Sequence, residues 1–176
     1  RKTMFEHFLK YVEEEKKIKN KEDFIEQMNG KTFLKGLYRL FDSNKTSNWC
    51  SIVEQAFPKY KNYIDVFGYD WLGRIFAINK INNHILLFEP GTGEVLDIPV
   101  TFEEFHDSEI VECHEDCLAS EFFQEWFLAN DNYILKKNEC VGYKVPLFLN
   151  GEDEIENLGI SDMEVYWTVL TPLINI

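Results

Sequence analysis

The chain has 176 residues, of which 45% are hydrophobic, and a chain of this size buries about 70% of its unfolded surface, which excludes fibrous and disordered classes. No apolar run approaches the roughly 20 residues of a membrane span and the first residues lack a signal peptide, so we expect a soluble protein of the cytoplasm. The net charge of −13 is uneven, since residues 1–64 carry +4 and residues 65–176 carry −17, and such an acidic second part disfavours nucleic acid binding because it repels phosphate.

The chain begins with two predicted helices. Apolar residues from Phe5 to Val12 recur at helical spacing, which predicts an amphipathic helix near residues 4–16. Asn20 is a plausible cap for a second helix, which we expect Asn29 and Gly30 to end.

A strand and a third helix complete the first 62 residues. Alternating residues predict a strand over 33–41, with Lys35 and Arg39 on its polar face. An apolar stripe then predicts a helix over residues 48–57, capped by Ser47 and ended by Pro58.

Residues 63–100 have the pattern of an antiparallel meander. Four β-branched or aromatic runs are joined by short turns, and such turns connect antiparallel neighbours. The runs are 63–67, 74–79, 84–88 and 95–100. Pro99 removes a backbone donor, so its strand is expected at a sheet edge. The segment Pro90-Gly-Thr-Gly93 predicts a hairpin turn rather than a phosphate loop, because strand residues and no helix follow it.

Helices are predicted for most of the remainder. Thr101-Phe-Glu-Glu104 forms a capping-box pattern, a broad apolar stripe predicts a helix over residues 116–128, and Ser161-Asp-Met-Glu164 opens another over 161–174. We therefore expect an α+β fold, in which an antiparallel sheet packs against several amphipathic helices as one compact unit. Its two parts, residues 1–62 and 63–176, are expected to share one core.

Sulfur and imidazole groups concentrate in one part of the chain. The residues are His106, Cys113, His114 and Cys117, followed by Cys140. Structural zinc sites use close cysteine pairs on a turn, whereas Cys113 and Cys117 lie four apart across a helix start, where a buried thiol is ordinary. We predict reduced cysteines, no metal and no cofactor.

The sequence lacks the motifs of common enzymes. Nucleophile-elbow, P-loop, dinucleotide-binding and zinc-protease patterns are all missing, so we predict that the protein is not an enzyme. A hydrolase ranks third, after a protein-binding module and a ligand-sensing domain. The main alternative is a domain that senses a small ligand or nucleotide through Trp71, Arg74 and the 142–151 loop. Arg74 could instead form an internal ion pair with Asp65 or Asp70.

Four segments resemble one bacterial family. They are FGYDWLGRIFA at residues 67–77, LFEPGTG at 87–93, GYKVPLFLNG at 142–151 and ENLGISDMEVYW at 156–167. Together they are similar to the C-terminal domain of type VI secretion DNase immunity proteins, over residues 63–176. The strand at 31–41 and the helix around Trp49 loosely resemble the GAD-like domain that usually precedes it. The resemblance implies a bacterial immunity protein that neutralises a cognate toxin.

The charge distribution is consistent with that role. A nuclease presents a basic surface to DNA, so an acidic partner is steered towards it and can cover its cleft. We expect a basic nuclease toxin as partner, and no direct contact with nucleic acid or membrane. The acidic residues expected to bind it surround two helix starts and, secondarily, occupy a loop. They are Glu103, Glu104, Asp107, Glu109, Glu112, Glu115 and Asp116, and then Glu152, Asp153, Glu154 and Glu156.

Overall fold

An antiparallel meander forms the centre of the protein. The computed structural model describes residues 3–175, and six strands lie in the sheet in the order in which they occur along the chain. They are β1 (Thr32–Phe33), β2 (Tyr38–Leu40), β3 (Ile64–Asp70), β4 (Ile75–Asn79), β5 (Ile85–Glu89) and β6 (Glu94–Ile98). The expected α+β class and the meander are confirmed, and Pro99 follows the strand at the sheet edge.

Both faces of the central strands β4 and β5 are buried, whereas the edge strand β6 is largely exposed. Successive residues of a strand point to opposite faces, so Phe76 and Ile78 of β4 join one hydrophobic core while Ile75 and Ala77 join the other. A bulge in β3 between Val66 and Gly68 interrupts the register with β4. The sheet therefore separates two layers of helices.

The first helical layer is built from helices that precede the six-stranded sheet in the chain and helices that follow it. It contains α1 (Glu6–Tyr11), α2 (Lys21–Gln27), α4 (Phe102–Glu104), a π-helical turn (Phe105–Glu109), α5 (Ile110–Glu112), α6 (His114–Leu118) and α7 (Ser120–Ala129). Residues of these helices pack with the first face of the sheet in a core rich in aromatic side chains. Helix α4, the π-helical turn and α5 follow one another without a break.

The second helical layer is smaller. It contains α3 (Thr46–Ala56) and α8 (Met163–Ile174), which contact each other across the second face of the sheet. A two-stranded sheet of β7 (Glu139–Tyr143) and β8 (Leu158–Asp162) precedes α8. It is joined to the meander by a hydrogen bond from Val141 N to Trp71 O, and Trp167 of α8 donates to Gly73 O.

Several predicted local features are confirmed. Asn20 accepts a hydrogen bond from Asp23 N and caps α2, and Thr101 and Glu104 form both bonds of a capping box. Residues 90–93 form the turn between β5 and β6, with Gly93 N bonded to Glu89 O. Within residues 3–175 no helix combines the length and the apolar character that a membrane crossing requires.

Other boundaries were wrong where the backbone turns left-handed. The first helix ends at Tyr11 rather than near residue 16, and Glu13 has φ 60°. The strand expected over 33–41 is a hairpin, because a turn at Leu34–Gly36 separates β1 from β2. The helix expected over 116–128 is divided into α6 and α7 at Ala119, which has φ 49°.

Two helix caps and one buried cation also differ from expectation. Helix α3 has no side-chain cap, whereas Ser47 was expected to provide one, and α8 is capped by Asp162 rather than Ser161. Arg39, predicted on a polar face, is completely buried. Its Nη atoms donate to the carbonyl oxygens of Lys136, Glu139 and Asp70, whereas its buried Nε has no hydrogen-bond partner in the described residues.

Candidate functional site

Helices α4–α7 of the first helical layer carry acidic residues and no lysine or arginine. Residues 81–135 contain 13 aspartates and glutamates and no lysine or arginine. Much of this stretch folds into α4–α7, so its carboxylates lie on one layer of the molecule rather than being distributed over both. Such a surface produces a directional field that attracts cations.

Three of the predicted acidic residues lie near enough to Cys113 to act on its thiol. The pKa of Cys113 is raised by partial burial and then by the negative charges of Glu109, Asp116 and Glu112. Glu109 ends the π-helical turn, Glu112 ends α5 and Asp116 lies in α6, so the three follow one another at intervals of three and four residues. No ion pair within residues 3–175 involves any of them. We call Glu109, Glu112 and Asp116 the acidic cluster.

Three other predicted residues have structural partners. Glu104 completes the capping box, and its hydrogen bonds with Thr101 lower its pKa. Asp107 accepts hydrogen bonds from His7 N at 2.8 Å and Phe8 N at 3.0 Å, and so caps α1 from across the layer. Glu115 accepts hydrogen bonds from Glu121 N and from the Ser120 hydroxyl, at the start of α7. Their carboxylates stabilise helix starts, which leaves less of their charge for a partner.

The secondary group lies in the loop between β7 and β8. All four carboxylates are exposed, and Asp153 accepts a hydrogen bond from the Tyr143 hydroxyl at 2.7 Å. The side chain of Asn157 holds the loop by donating to the carbonyl oxygens of Val145 and Glu152. The turn at Ile155–Asn157 contacts α7, so this loop borders the acidic layer.

The residues of the ligand-sensing alternative belong to the protein interior. Trp71 is completely buried, and its indole nitrogen donates to Leu118 O at 2.9 Å. Arg74 pairs with Asp70 at 2.7 Å and with Glu89 at 3.3 Å, so the expected internal ion pair with Asp70 is confirmed. Both side chains connect the β3–β4 turn to α6, since Trp71 donates to Leu118 O and Arg74 donates to Cys117 O. Neither side chain is free to contact a ligand.

The possible metal ligands are dispersed. Cys117 packs in the core on one face of the sheet and Cys140 in the core on the other, and burial raises the pKa of each thiol to about 12. His106 Nδ1 donates to Phe102 O, and its Nε2 accepts a hydrogen bond from the Tyr38 hydroxyl at 2.7 Å. All four cysteines are free, and in the part of the chain that the structure describes no three ligand residues are grouped for a metal.

A recess at the sheet edge was not predicted from the sequence. On β3, strand β2 pairs with Gly68–Asp70, so among residues 3–175 the first half of β3 has no neighbouring strand on that side. A recess of about 540 Å³ occupies this place, between α2 and α3. Cys50 lies within it and its thiol donates to Ile64 O. Because the recess follows from the unequal lengths of two strands, no local sequence signal indicates it.

Comparison with known proteins supports the fold. The chain is similar to the crystal structure of Atu4351 from Agrobacterium tumefaciens, with a TM-score of 0.67 and 18% sequence identity, over 96% of this chain and 88% of that chain. Neither a known family nor a curated protein matches the sequence. Similarity at this level of identity shows that the two proteins share the α+β architecture, and it assigns no activity.

Proposed function

We propose that this protein is a non-enzymatic immunity protein, which binds a basic nuclease toxin through the acidic surface of α4–α7 and neutralises it in the bacterial cytoplasm. The observation that carries the proposal is the acidic cluster, because its three carboxylates follow one another along α4–α7 and none has an ion-pair partner in the described residues. Like charges held together repel one another, and a cationic partner removes that repulsion.

The surrounding surface supports the same partner. A basic protein approaching α4–α7 meets no lysine or arginine from residues 81–135, so nothing from this stretch repels it. Long-range attraction accelerates association, and the effect decreases as salt shortens the Debye length to about 8 Å at physiological ionic strength. The resemblance to DNase immunity proteins is the reason for proposing that this basic partner is a nuclease.

The experiment uses the polypeptide encoded immediately upstream of this gene as the toxin. Its expression should stop growth, and co-expression of this protein should restore it. Association rates should decrease with salt and fall at least about tenfold in the variant Glu109→Lys/Glu112→Lys/Asp116→Lys.

A matched control keeps the same net charge change on other helices and loops. Glu15, Glu26 and Glu164 are exposed and lie outside α4–α7, so their simultaneous replacement by lysine should leave association much less affected. Equal rates for the two triple variants would refute binding through α4–α7. A toxin that neither binds this protein nor is neutralised by it would refute the immunity function.

The sheet-edge recess favours a second candidate, the binding of a small ligand or nucleotide. Its volume of about 540 Å³ is in the range of small-molecule sites, and its lining mixes apolar side chains with Lys21, Ser47 and Lys80. A nucleotide that raises the melting temperature of the protein, but not that of Ser47→Trp, would support this function. Equal shifts in both proteins, or none, would contradict it.

A further inference from the structure

A second recess lies where α1 meets the acidic layer. It has a volume of about 580 Å³ and is bordered by α1, the β1–β2 hairpin, α6 and α7. We call it the α1–α7 recess. Glu121 and Gln124 of α7 are exposed at its border, so it opens within the surface to which the proposed function assigns the toxin.

The lining of the α1–α7 recess has an apolar floor and an aromatic wall. Val12, Leu37 and Phe123 are buried and form the floor. The rings of Tyr11 and His114 stack with their centres 5.6 Å apart and form part of the wall. A long side chain with an apolar stem would contact the floor over its length, and a planar group at its end would lie against these rings.

The border of the recess is negatively charged. Glu13 and Glu121 are exposed there, and no ion pair within residues 3–175 involves either carboxylate. The one lysine of the lining, Lys35, places its ammonium group 5.2 Å from the centre of the Phe127 ring. The carboxylates are therefore available to a cation that enters from outside.

The walls of the recess include strained backbone. Glu13, Leu34 and Lys35 line it with φ between 50° and 63°, and Ala119, with φ 49°, directly precedes Ser120 of its wall. Residues other than glycine avoid this conformation, and it persists only where the surrounding structure imposes it. Strain of this kind is concentrated at binding sites, where it holds a cavity open before its ligand arrives.

Hydrogen bonds hold the opposite wall. His114 Nδ1 lies 2.6 Å from Ser120 Oγ, and the Ser120 hydroxyl donates its one proton to Glu115. These bonds connect α6 to α7 across the break at Ala119. The position of His114 against Tyr11 is therefore set before a partner binds.

We propose that the α1–α7 recess receives an arginine side chain of the basic partner. The arginine stem covers the apolar floor, its planar guanidinium lies against the stacked Tyr11–His114 pair, and Glu13 and Glu121 neutralise its charge. Lysine offers the same charge but no planar group, and an apolar side chain leaves the carboxylates unpaired. The inference rests on the proposed function for the identity of the partner, but not for the chemistry of the recess.

The chemistry is tested with N-acetyl-arginine methylamide as the probe. Its titration into the isotope-labelled protein should shift the amide resonances of residues around the recess. The corresponding lysine and norleucine compounds should bind at least about fivefold more weakly. Equal binding of lysine or norleucine, or shifts located elsewhere, would overturn the inference.

Charge and shape are tested separately by exposed residues. Glu13→Gln/Glu121→Gln should weaken binding of the arginine probe at least about fivefold, whereas Glu152→Gln/Glu154→Gln, an equal change of charge in the β7–β8 loop, should not. Gln124→Trp should obstruct the recess, with Gln124→Ala as its matched control. Melting temperatures close to that of the parent show that these variants fold.

The same variants separate this inference from the proposed function. If the toxin binds both Gln124 variants equally but fails to bind the triple reversal of the acidic cluster, the arginine site is refuted and the immunity function stands. If the upstream toxin does not bind while the probe titrates the recess selectively, the immunity function is refuted and the arginine site stands.

Discussion

Carboxylates have opposite roles in two regions of this protein. At the β3–β4 turn, Asp70 is completely buried, and Arg74 holds both it and Glu89 in ion pairs. In the acidic cluster, which runs from the π-helical turn through α5 into α6, none of the three carboxylates has an ion-pair partner among the described residues. The first arrangement joins elements of the fold, and the second has no such structural use.

This difference teaches that partners, rather than residue type or number, decide what an acidic side chain does. A buried carboxylate depends on its partner, because an uncompensated charge in the interior is very unfavourable. An exposed carboxylate contributes little to stability, so an unpaired group of them is tolerated and is open to selection for binding. Three changes to these charged pairs and acidic residues test this division, and protonation of a buried histidine tests the cost of an interior charge. They are given in order of their expected effect on the free energy of unfolding.

The largest effect is expected when the buried pair is broken. Arg74→Met leaves Asp70 in the interior without its cation, which should lower the free energy of unfolding by about 3–5 kcal/mol. Denaturation in urea measures the loss. The double variant Asp70→Asn/Arg74→Met removes both charges and should be more stable than Arg74→Met alone. A loss below about 1 kcal/mol for Arg74→Met would show that the folded state does not depend on the Asp70–Arg74 ion pair.

Acidification should have the next largest effect, through His106. Burial lowers the pKa of His106 to about 3, whereas the unfolded chain binds a proton below about 6.5. Because the unfolded state then holds more protons, stability falls as the pH decreases from 6.5 towards 3, by at most about 1.4 kcal/mol per unit. The loss from this residue should reach about 3 kcal/mol at pH 4.

Two measurements isolate the contribution of His106 from those of the carboxylates. His106→Asn cannot gain the proton, so its unfolding free energy should decrease less steeply below pH 6.5 than that of the parent. In the parent, nuclear magnetic resonance of the His106 ring should show a neutral imidazole down to pH 4. A ring that becomes protonated near pH 6 in the folded protein would contradict the prediction.

A smaller effect distinguishes two acidic residues of the same layer. Asp107→Ala removes the acceptor for His7 N and Phe8 N at the start of α1 and should cost about 1 kcal/mol. Glu112→Ala, in the acidic cluster, should change the unfolding free energy by less than about 0.5 kcal/mol. Chemical denaturation of Asp107→Ala and Glu112→Ala measures both changes in the free energy of unfolding. Equal effects would mean that Asp107 is not a structural cap.

The smallest effect is expected for neutralisation of the whole acidic cluster. Glu109→Gln/Glu112→Gln/Asp116→Asn removes mutual repulsion, so its melting temperature should equal or slightly exceed that of the parent at low salt. The difference should vanish when salt reduces the Debye length from about 30 Å to about 3 Å. A marked loss of stability at either salt concentration would show that the cluster has structural partners.

Elements with local signals were predicted well. The capping box at Thr101 and the cap at Asn20 depend on residues three positions apart, and the meander depends on alternation and short turns. Left-handed residues were missed because Leu34 and Ala119 are neither glycine nor asparagine, so nothing in their identity indicates that conformation. Each of these two residues interrupts an element that the pattern predicted to continue.

The candidate surface was predicted in part. The i, i+3 and i+4 spacing of acidic residues around Cys113 is visible in the sequence, and in the structure those carboxylates lie near enough to Cys113 to act on its thiol. Asp107 and Glu115 share the same composition and the same stretch, yet they cap helices. Since the partners of Asp107 lie about one hundred residues away along the chain, its role depends on how α1 packs.

The sequence by itself determined the α+β class, the antiparallel meander and the asymmetry of charge, because periodicity, turn chemistry and composition are local or additive properties. Only the tertiary structure decided which charges are paired, that Arg39 is buried among carbonyl groups, and where the two recesses lie. These features depend on distances between residues far apart in the chain. Such distances follow from how the layers pack, and no single segment of the sequence contains them.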